Sequence, residues 1–93
     1  MRSKKLLRMR ALVRSEEYVV TVHAAQKLRS LGLVATELEA LILSGSIAAR
    51  QRDEVDNDWK YVVEGAMSWG RLAATVVKLS PTGKLVFITV YRL

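Results

Sequence analysis

His23 and Arg71 are the two side chains whose type and position best suit acid–base and phosphate chemistry. His23 is the only histidine of the chain, and a run rich in β-branched residues precedes it from Tyr18 to Val22. Apolar residues then recur at helical spacing until Gly32. The pattern predicts that His23 lies in the first turn of a helix, where the helix dipole favours the neutral imidazole that accepts a proton. His23 is therefore either a general base or a side chain satisfied by a backbone carbonyl.

Three further polar residues on predicted strands can be combined with His23. Arg71 follows Gly70 at the start of a strand, where its planar guanidinium either points at a ligand phosphate or is an ordinary surface group. Such a set suits phosphodiester cleavage, because a base removes the 2′-hydroxyl proton and cations stabilise the charge that develops on the phosphate oxygens. The candidate catalytic residues are His23, Arg71, Lys60 and Tyr91.

Other strand residues have more than one interpretation. Alternation sends half of the polar strand side chains to solvent, and the register decides which half. This applies to Lys60, Tyr61, Arg50, Arg52, Tyr91 and Arg92. The two tryptophans, Trp59 and Trp69, either stack on unpaired bases or fill the core.

Signatures of cofactor and metal sites are missing from the sequence. The chain has no cysteine, which excludes disulfides and cysteine-based metal or redox sites. A single histidine without a second one at ligand spacing gives no coordination set. There is also no glycine-rich phosphate loop and no Gly-x-Ser-x-Gly motif. We therefore expect neither a cofactor nor a metal.

The net charge of +6 is concentrated at the start of the chain. Residues 1–14 contain six basic residues and no acidic one, whereas residues 15–93 contain nine of each. Residues 4–14 also have helical periodicity, with Leu6, Met9 and Val13 on one side. Such a helix suits a phosphate backbone, an anionic membrane surface or an acidic partner, or it docks on the body with its charges solvated. The candidate nucleic-acid-binding residues are Lys4, Lys5, Arg8, Arg10 and Arg14.

The same segment bears on localisation. Arg8 and Arg10 interrupt every apolar run, so a secretory signal peptide is not expected. A mitochondrial presequence is an alternative, because it is also Arg-rich and acid-poor. No window approaches the roughly 18 apolar residues of a membrane span. We expect a cytoplasmic protein.

Periodicity also predicts the order of the elements. Thr21 is placed to cap the first body helix, and Thr36 with Glu39 has capping-box spacing at the start of a second. Extended segments follow at residues 47–52, 59–64, 71–79 and 85–93, and the turn at residues 80–84 joins the last two. Tyr18 to Val22 is available as a further strand.

These elements predict an α+β fold in two parts. Residues 1–16 form a basic helical arm, and residues 17–93 form a single domain. In this domain a helical hairpin packs on one face of a curved antiparallel sheet of three to four strands. The opposite face stays partly polar.

The chain resembles an uncharacterised family of small bacterial proteins, catalogued as domain of unknown function four-two-five-eight. The resemblance covers about residues 18 to 92, where His23 matches a His-Ala motif and Arg71 a Gly-Arg step. It implies a layout similar to the RelE and BrnT toxins, which are small α+β ribonucleases. The segments that carry it are Thr21-Val22-His23-Ala24, Leu31-Gly32-Leu33, the helix Glu37 to Gly45, Gly70-Arg71 and the closing strand Val86 to Tyr91.

Residues and resemblance together give one leading hypothesis and two alternatives. The leading hypothesis is an RNA-directed protein, a toxin-type endoribonuclease of a toxin–antitoxin pair. The first alternative is a non-catalytic module whose basic arm binds nucleic acid, with a steep dependence on salt. The second is an interaction module, in which the arm or a sheet edge pairs with a small acidic antitoxin-like protein.

Overall fold

The computed structural model describes residues 3–93, with the side chain of Trp69 excepted. Three α-helices, one short 3₁₀-helix and five strands follow one another along this part of the chain. Their bounds are α1 Lys4–Arg14, β1 Tyr18–Val20, α2 Val22–Ser30, α3 Thr36–Ser44, β2 Ser46–Arg52, β3 Trp59–Ala66, the 3₁₀-helix Ser68–Gly70, β4 Leu72–Leu79 and β5 Leu85–Arg92. The protein is α+β, as predicted.

The five strands form one mixed sheet in the order β1-β5-β4-β3-β2. Strands β2 to β5 are antiparallel neighbours, as the hairpins predict, but β1 runs parallel to β5, with Val19 opposite Val86. The prediction of a purely antiparallel sheet of three to four strands was therefore wrong in strand number and in the direction of one edge. A three-residue strand carries no pattern that distinguishes parallel from antiparallel pairing, so only the packing decides it.

The helices cover one face of this sheet. Val77 of β4 lies opposite Tyr61 on β3 and Phe87 on β5, so these three side chains point to the same face. They are buried there together with Leu28 of α2 and Leu38 of α3. Of the helices formed by residues 3–93, none has both the length and the apolar character needed to cross a bilayer.

Helix α1 is part of this same core. Leu6, Met9 and Val13 are buried on the side that faces α3 and β5. Ser3 caps the helix, because its hydroxyl accepts a hydrogen bond of 3.2 Å from the backbone N–H of Leu6. The structure thus shows that this basic segment docks on the body through Leu6, Met9 and Val13.

The two body helices begin differently. Thr21 caps α2 as predicted, because its Oγ1 accepts a hydrogen bond of 3.1 Å from Ala24 N. The predicted capping box at Thr36 was wrong: Thr36 is already the first helical residue, and Ala35 at the N-cap has no side-chain acceptor. Glu39 instead accepts a hydrogen bond from the hydroxyl of Tyr18 on β1. Glu39 thus binds Tyr18, a residue on another element, instead of capping its own helix.

Helix α3 approaches β3 very closely at two glycines. A Cβ atom added to Gly65 would lie 2.8 Å from the carbonyl oxygen of Leu41 and 2.9 Å from the Cα of Gly45. Real Cβ atoms do not approach other atoms so closely. The absence of a side chain at Gly65 therefore lets the end of α3 rest directly on the sheet.

Candidate nucleic-acid interface

His23 lies at the start of α2, on the edge of the sheet face that the helices leave open. Its side chain is exposed, and its Nε2 lies 3.2 Å from Oγ1 of Thr89 on β5. The helix start is fixed to the same strand, because Oγ1 of Thr21 donates a hydrogen bond of 3.1 Å to the carbonyl oxygen of Ile88. Tyr91 follows Thr89 by two residues, so it lies on the same face, and 37% of it is exposed. The structure thus brings His23 and Tyr91 to one side of β5.

Arg71 belongs to a different surface. It lies between the 3₁₀-helix and β4, and its carbonyl oxygen accepts a hydrogen bond of 2.7 Å from Met67 N. A shallow cavity of about 540 Å³ opens beside its exposed side chain. The residues that line the cavity are Gly32, Leu33, Val34, Glu37, Met67, Ser68 and Arg71, and His23 is not one of them.

Lys60 is engaged by the acidic β2–β3 loop. Its ammonium forms an ion pair with Asp53 and lies 3.9 Å from a carboxylate oxygen of Asp56. The hydrogen bond that Lys60 donates to Asp53 lowers the pKa of Asp53. The same hydrogen bond raises the pKa of Lys60. Lys78 on β4 lies 3.5 Å from Asp58 in the same loop. The charge of Lys60 is therefore already matched by acidic residues of this chain.

The sheet register separates Lys60 from the His23 side of the molecule. Tyr91 lies level with Ala74 on β4, which lies level with Glu64 on β3. Lys60 is four residues before Glu64, which corresponds to roughly 13 Å along the strand. The structure does not gather the four candidate catalytic residues at one place, and their catalytic role stays a prediction.

A concentration of free cations and an exposed aromatic ring lies elsewhere, at the β2–β3 hairpin. Arg52 pairs with Trp59 across the two strands, and Arg50 pairs with Tyr61, so all four side chains point to the same face. The guanidinium carbons of Arg50 and Arg52 lie 4.8 and 5.5 Å from the ring centroid of Trp59. Both distances are within the range of cation–π attraction.

The hairpin keeps these arginines apart from its own acidic loop. Trp59 and Lys60 are consecutive strand residues and point to opposite faces, so the carboxylates bound by Lys60 lie on the other side. Nε of Arg52 donates a hydrogen bond of 2.8 Å to Oδ1 of Asn57, which holds its guanidinium without neutralising it. Within residues 3–93, the ion pairs shorter than 4 Å use only Lys60 and Lys78 as cations. Arg50 and Arg52 thus keep their charge for a ligand.

Helix α1 adds two cations at this end of the sheet. The ammonium of Lys5 lies 5.7 Å from the ring centroid of Tyr61, and the guanidinium of Arg8 reaches the β4–β5 turn at Gly83. Lys5 and Arg8 are three residues apart and share one flank of the helix. We call this region the cationic surface, and it consists of Lys5, Arg8, Arg50, Arg52 and Trp59.

The other predicted nucleic-acid-binding residues of α1 have different surroundings. Arg10 is turned inward, and its guanidinium donates hydrogen bonds of 3.1 and 2.9 Å to the carbonyl oxygens of Ile42 and Gly45. Arg14 is exposed, but nine residues after Lys5 it lies on the opposite flank of the helix. Lys4 is exposed next to Lys5. The basic segment thus supplies cations to two sides of the molecule, together with one structural arginine.

Sequence reasoning named Trp59 as a candidate for base stacking but gave Arg50 and Arg52 no role. A usable signal was present: Arg-x-Arg ends one strand, and a tryptophan begins the next after an acidic turn. Hairpin pairing places such residues side by side, but the pairing depends on register, which a bulge between Ile47 and Ala49 shifts here.

The described residues offer no metal centre. Within residues 3–93, no group of three or more histidine or acidic side chains is placed to hold a metal ion. What the cationic surface can do chemically is bind phosphates through its charges and a planar group through the ring of Trp59. No protein-family model matches the chain, and no significant match was found among curated proteins or solved structures.

Proposed function

We propose that the protein binds RNA through its cationic surface. The non-catalytic alternative raised by the sequence used the basic arm, whereas in this proposal the β2–β3 hairpin supplies the main contacts and the arm adds Lys5 and Arg8. The observation that carries the proposal is the hairpin pair Arg50 and Arg52, which flank the exposed ring of Trp59 without an acidic partner. Cations next to an exposed aromatic ring are the arrangement that binds a nucleic-acid strand. The setting we propose is the cytoplasm, as the sequence predicts.

Charge distribution supports the same proposal. Three carboxylates of the hairpin's own loop, those of Asp53, Asp56 and Asp58, are bound by Lys60 and Lys78. Lys5 and Arg8 extend the surface from the hairpin to α1. Such a set can contact several phosphates of one strand, and these contacts supply most of a sequence-independent affinity.

The test is the salt dependence of RNA binding, measured by fluorescence anisotropy with a labelled oligoribonucleotide. Binding through phosphate contacts makes the logarithm of affinity fall linearly with the logarithm of salt concentration. Arg50→Gln and Arg52→Gln should each weaken binding and lower the slope by about one. Arg14→Gln is the matched control, because it removes the same charge from the other flank of α1, and it should leave both quantities nearly unchanged.

Full-length protein is needed for this test. Removal of residues 1–14 would delete Leu6, Met9 and Val13 from the core, so a truncated protein would report on folding rather than on binding. Wild-type protein that does not bind RNA, or Arg14→Gln that weakens binding as much as Arg50→Gln, would contradict the proposal.

A toxin-type endoribonuclease is the second candidate, and the polar side chains beside His23 on β5 favour it. There the imidazole of His23 lies beside the hydroxyl of Thr89, with Tyr91 on the same face. On this hypothesis His23 is the base that removes the 2′-hydroxyl proton, and a small acidic antitoxin-like protein is the partner. Mixed RNA, free and ribosome-bound, should then be cleaved, and His23→Ala should reduce cleavage. Wild-type protein that is inert on both forms would remove this candidate.

A further inference from the structure

We infer that the RNA bound at the cationic surface is single-stranded, and that one unpaired base stacks on the ring of Trp59. The inference rests on the proposed function and adds the class of ligand and its binding mode. It starts from the position of Trp59 as the first residue of β3, on the same sheet face as the core.

Trp59 is not used as a core residue. Tyr61, two residues later on the same face, is 7% exposed, whereas Trp59 is 39% exposed. The side chains placed against the tryptophan ring are the two guanidiniums of Arg50 and Arg52. A tryptophan that keeps 39% of its surface exposed beside two cations can contact a flat group that has negative charges next to it. A nucleotide within a strand is such a group, because phosphates flank each base.

The ring distinguishes single strands from duplexes. Inside a duplex both faces of each base are covered by its neighbours, so away from the duplex ends a tryptophan can stack only on a base that is out of the helix. Stacking is also tolerant of sequence, because every base presents a π-face. The arginines, in contrast, contact phosphates, which both forms of RNA carry. Trp59 should therefore govern the preference for single strands, and Arg50 and Arg52 should govern affinity for either form.

Asn57 fixes the position of Arg52 beside the ring of Trp59. Its backbone has φ of 59°, in the left-handed region that asparagine tolerates, and this tight turn brings its Oδ1 within 2.8 Å of Nε of Arg52. The hydrogen bond holds the guanidinium next to the ring before a ligand arrives. Such preorganisation reduces the ordering cost of binding.

The experiment compares two forms of one RNA on the full-length protein. An oligouridine is titrated alone and as a duplex with oligoadenosine. Its length of about 12 nucleotides lies within the size range of single-strand binding sites. We expect the single strand to bind about tenfold more tightly than the duplex. Trp59→Ala should remove this preference, because single-strand affinity falls more than duplex affinity, and Trp59→Phe should restore part of it. Arg50→Gln should weaken both forms alike.

A second measurement is independent of the stability of Trp59→Ala. In Trp69→Phe the only tryptophan is Trp59. The backbone of residue 69 lies beyond the far end of β3, roughly 25 Å along the strand from Trp59. Single-stranded RNA should quench the tryptophan fluorescence of this variant, and duplex RNA should not.

Each result has a defined meaning. Equal affinity for both forms, or an unquenched Trp59, overturns the inference and leaves the proposed function standing if salt-dependent RNA binding persists. If neither form of RNA binds, the inference and the proposed function are both overturned. Polyglutamate that competes as well as the RNA would also overturn the inference, because the surface would then recognise an acidic polypeptide by charge alone.

Discussion

The guanidinium of Arg10 on α1 donates a hydrogen bond of 2.9 Å to the carbonyl oxygen of Gly45, the residue that ends α3, 35 positions further along the chain. A second bond, of 3.1 Å, reaches the carbonyl oxygen of Ile42. The arginine thereby satisfies backbone acceptors that a helix end leaves without partners. One flank of α1 is thus structural, while Lys5 and Arg8 on another flank extend the cationic surface.

Replacement of Arg10 by alanine should lower the free energy of unfolding by about 1 to 3 kcal/mol, because two charge-assisted hydrogen bonds to the end of α3 are lost. Urea unfolding followed by circular dichroism measures this change. Arg14→Ala is the control and should stay within about 0.5 kcal/mol of the wild type. Equal effects of the two substitutions would show that the contacts to Ile42 and Gly45 contribute little.

Gly65→Ala should destabilise the protein by about 2 to 3 kcal/mol, because the added methyl group overlaps the carbonyl oxygen of Leu41. Gly32→Ala is an informative comparison. No atom lies within 4 Å of the methyl group that it would add, but its φ of +70° makes a side chain strained. That strain should cost about 1 kcal/mol. Thermal unfolding shows which of the two variants is less stable. A Gly65→Ala protein as stable as Gly32→Ala would contradict the close approach of α3 to β3.

Tyr18 should make stability fall with pH in the alkaline range. The hydrogen bond to Glu39, followed by burial, raises the pKa of Tyr18 to about 12 from an ordinary value of 10.0. The folded state therefore binds the phenolic proton more tightly than the unfolded state. This stabilisation is fully present below pH 10 and is lost as the pH rises towards 12. We expect a loss of about 1 to 2 kcal/mol, reduced by the partial exposure of the side chain.

The measurement is urea unfolding at a series of pH values, together with absorbance titration of tyrosinate. Tyr18→Phe should lack this part of the pH dependence and the tyrosine ionisation near pH 12. Glu39→Gln should bring the pKa of Tyr18 back towards its ordinary value, because the charge on the acceptor is gone. A Tyr18→Phe protein with the same alkaline profile as the wild type would contradict the prediction.

Asp53 should titrate below its ordinary pKa of 3.8 because it accepts hydrogen bonds from Lys60 and from the backbone N–H of Val55. A lowered folded pKa means that the ion pair stabilises the protein above the unfolded value, and that this contribution disappears as the pH falls through the folded value. Carboxyl-carbon NMR titration measures the pKa directly. Lys60→Gln should raise it towards 3.8, and an unchanged value would show that the ion pair does not form in solution.

Much of the local structure follows from the sequence alone. The hydroxyl of Thr21 next to a helical pattern predicted the start of α2, and Gly32 predicted its end. Pro81 and Gly83 predicted the turn between β4 and β5, where Gly83 N donates a hydrogen bond of 2.9 Å to the carbonyl oxygen of Ser80. These features depend on residues a few positions apart, which the order of the chain already brings together.

Long-range placement was not determined in this way. The sequence locates the excess of positive charge in residues 1–14. It does not show that Arg10 turns inward, that Lys5 contacts Tyr61 or that Arg8 reaches the turn at Gly83. It names Trp59 as a candidate for base stacking but assigns no role to the arginines beside it. Those relationships depend on how α1 packs and on a register that bulges shift, and neither leaves a local pattern. Composition and periodicity thus determined which elements form and how much charge the chain carries, whereas only tertiary packing decided which side chains meet, because residues far apart in sequence are brought together by the sheet register and the shared core.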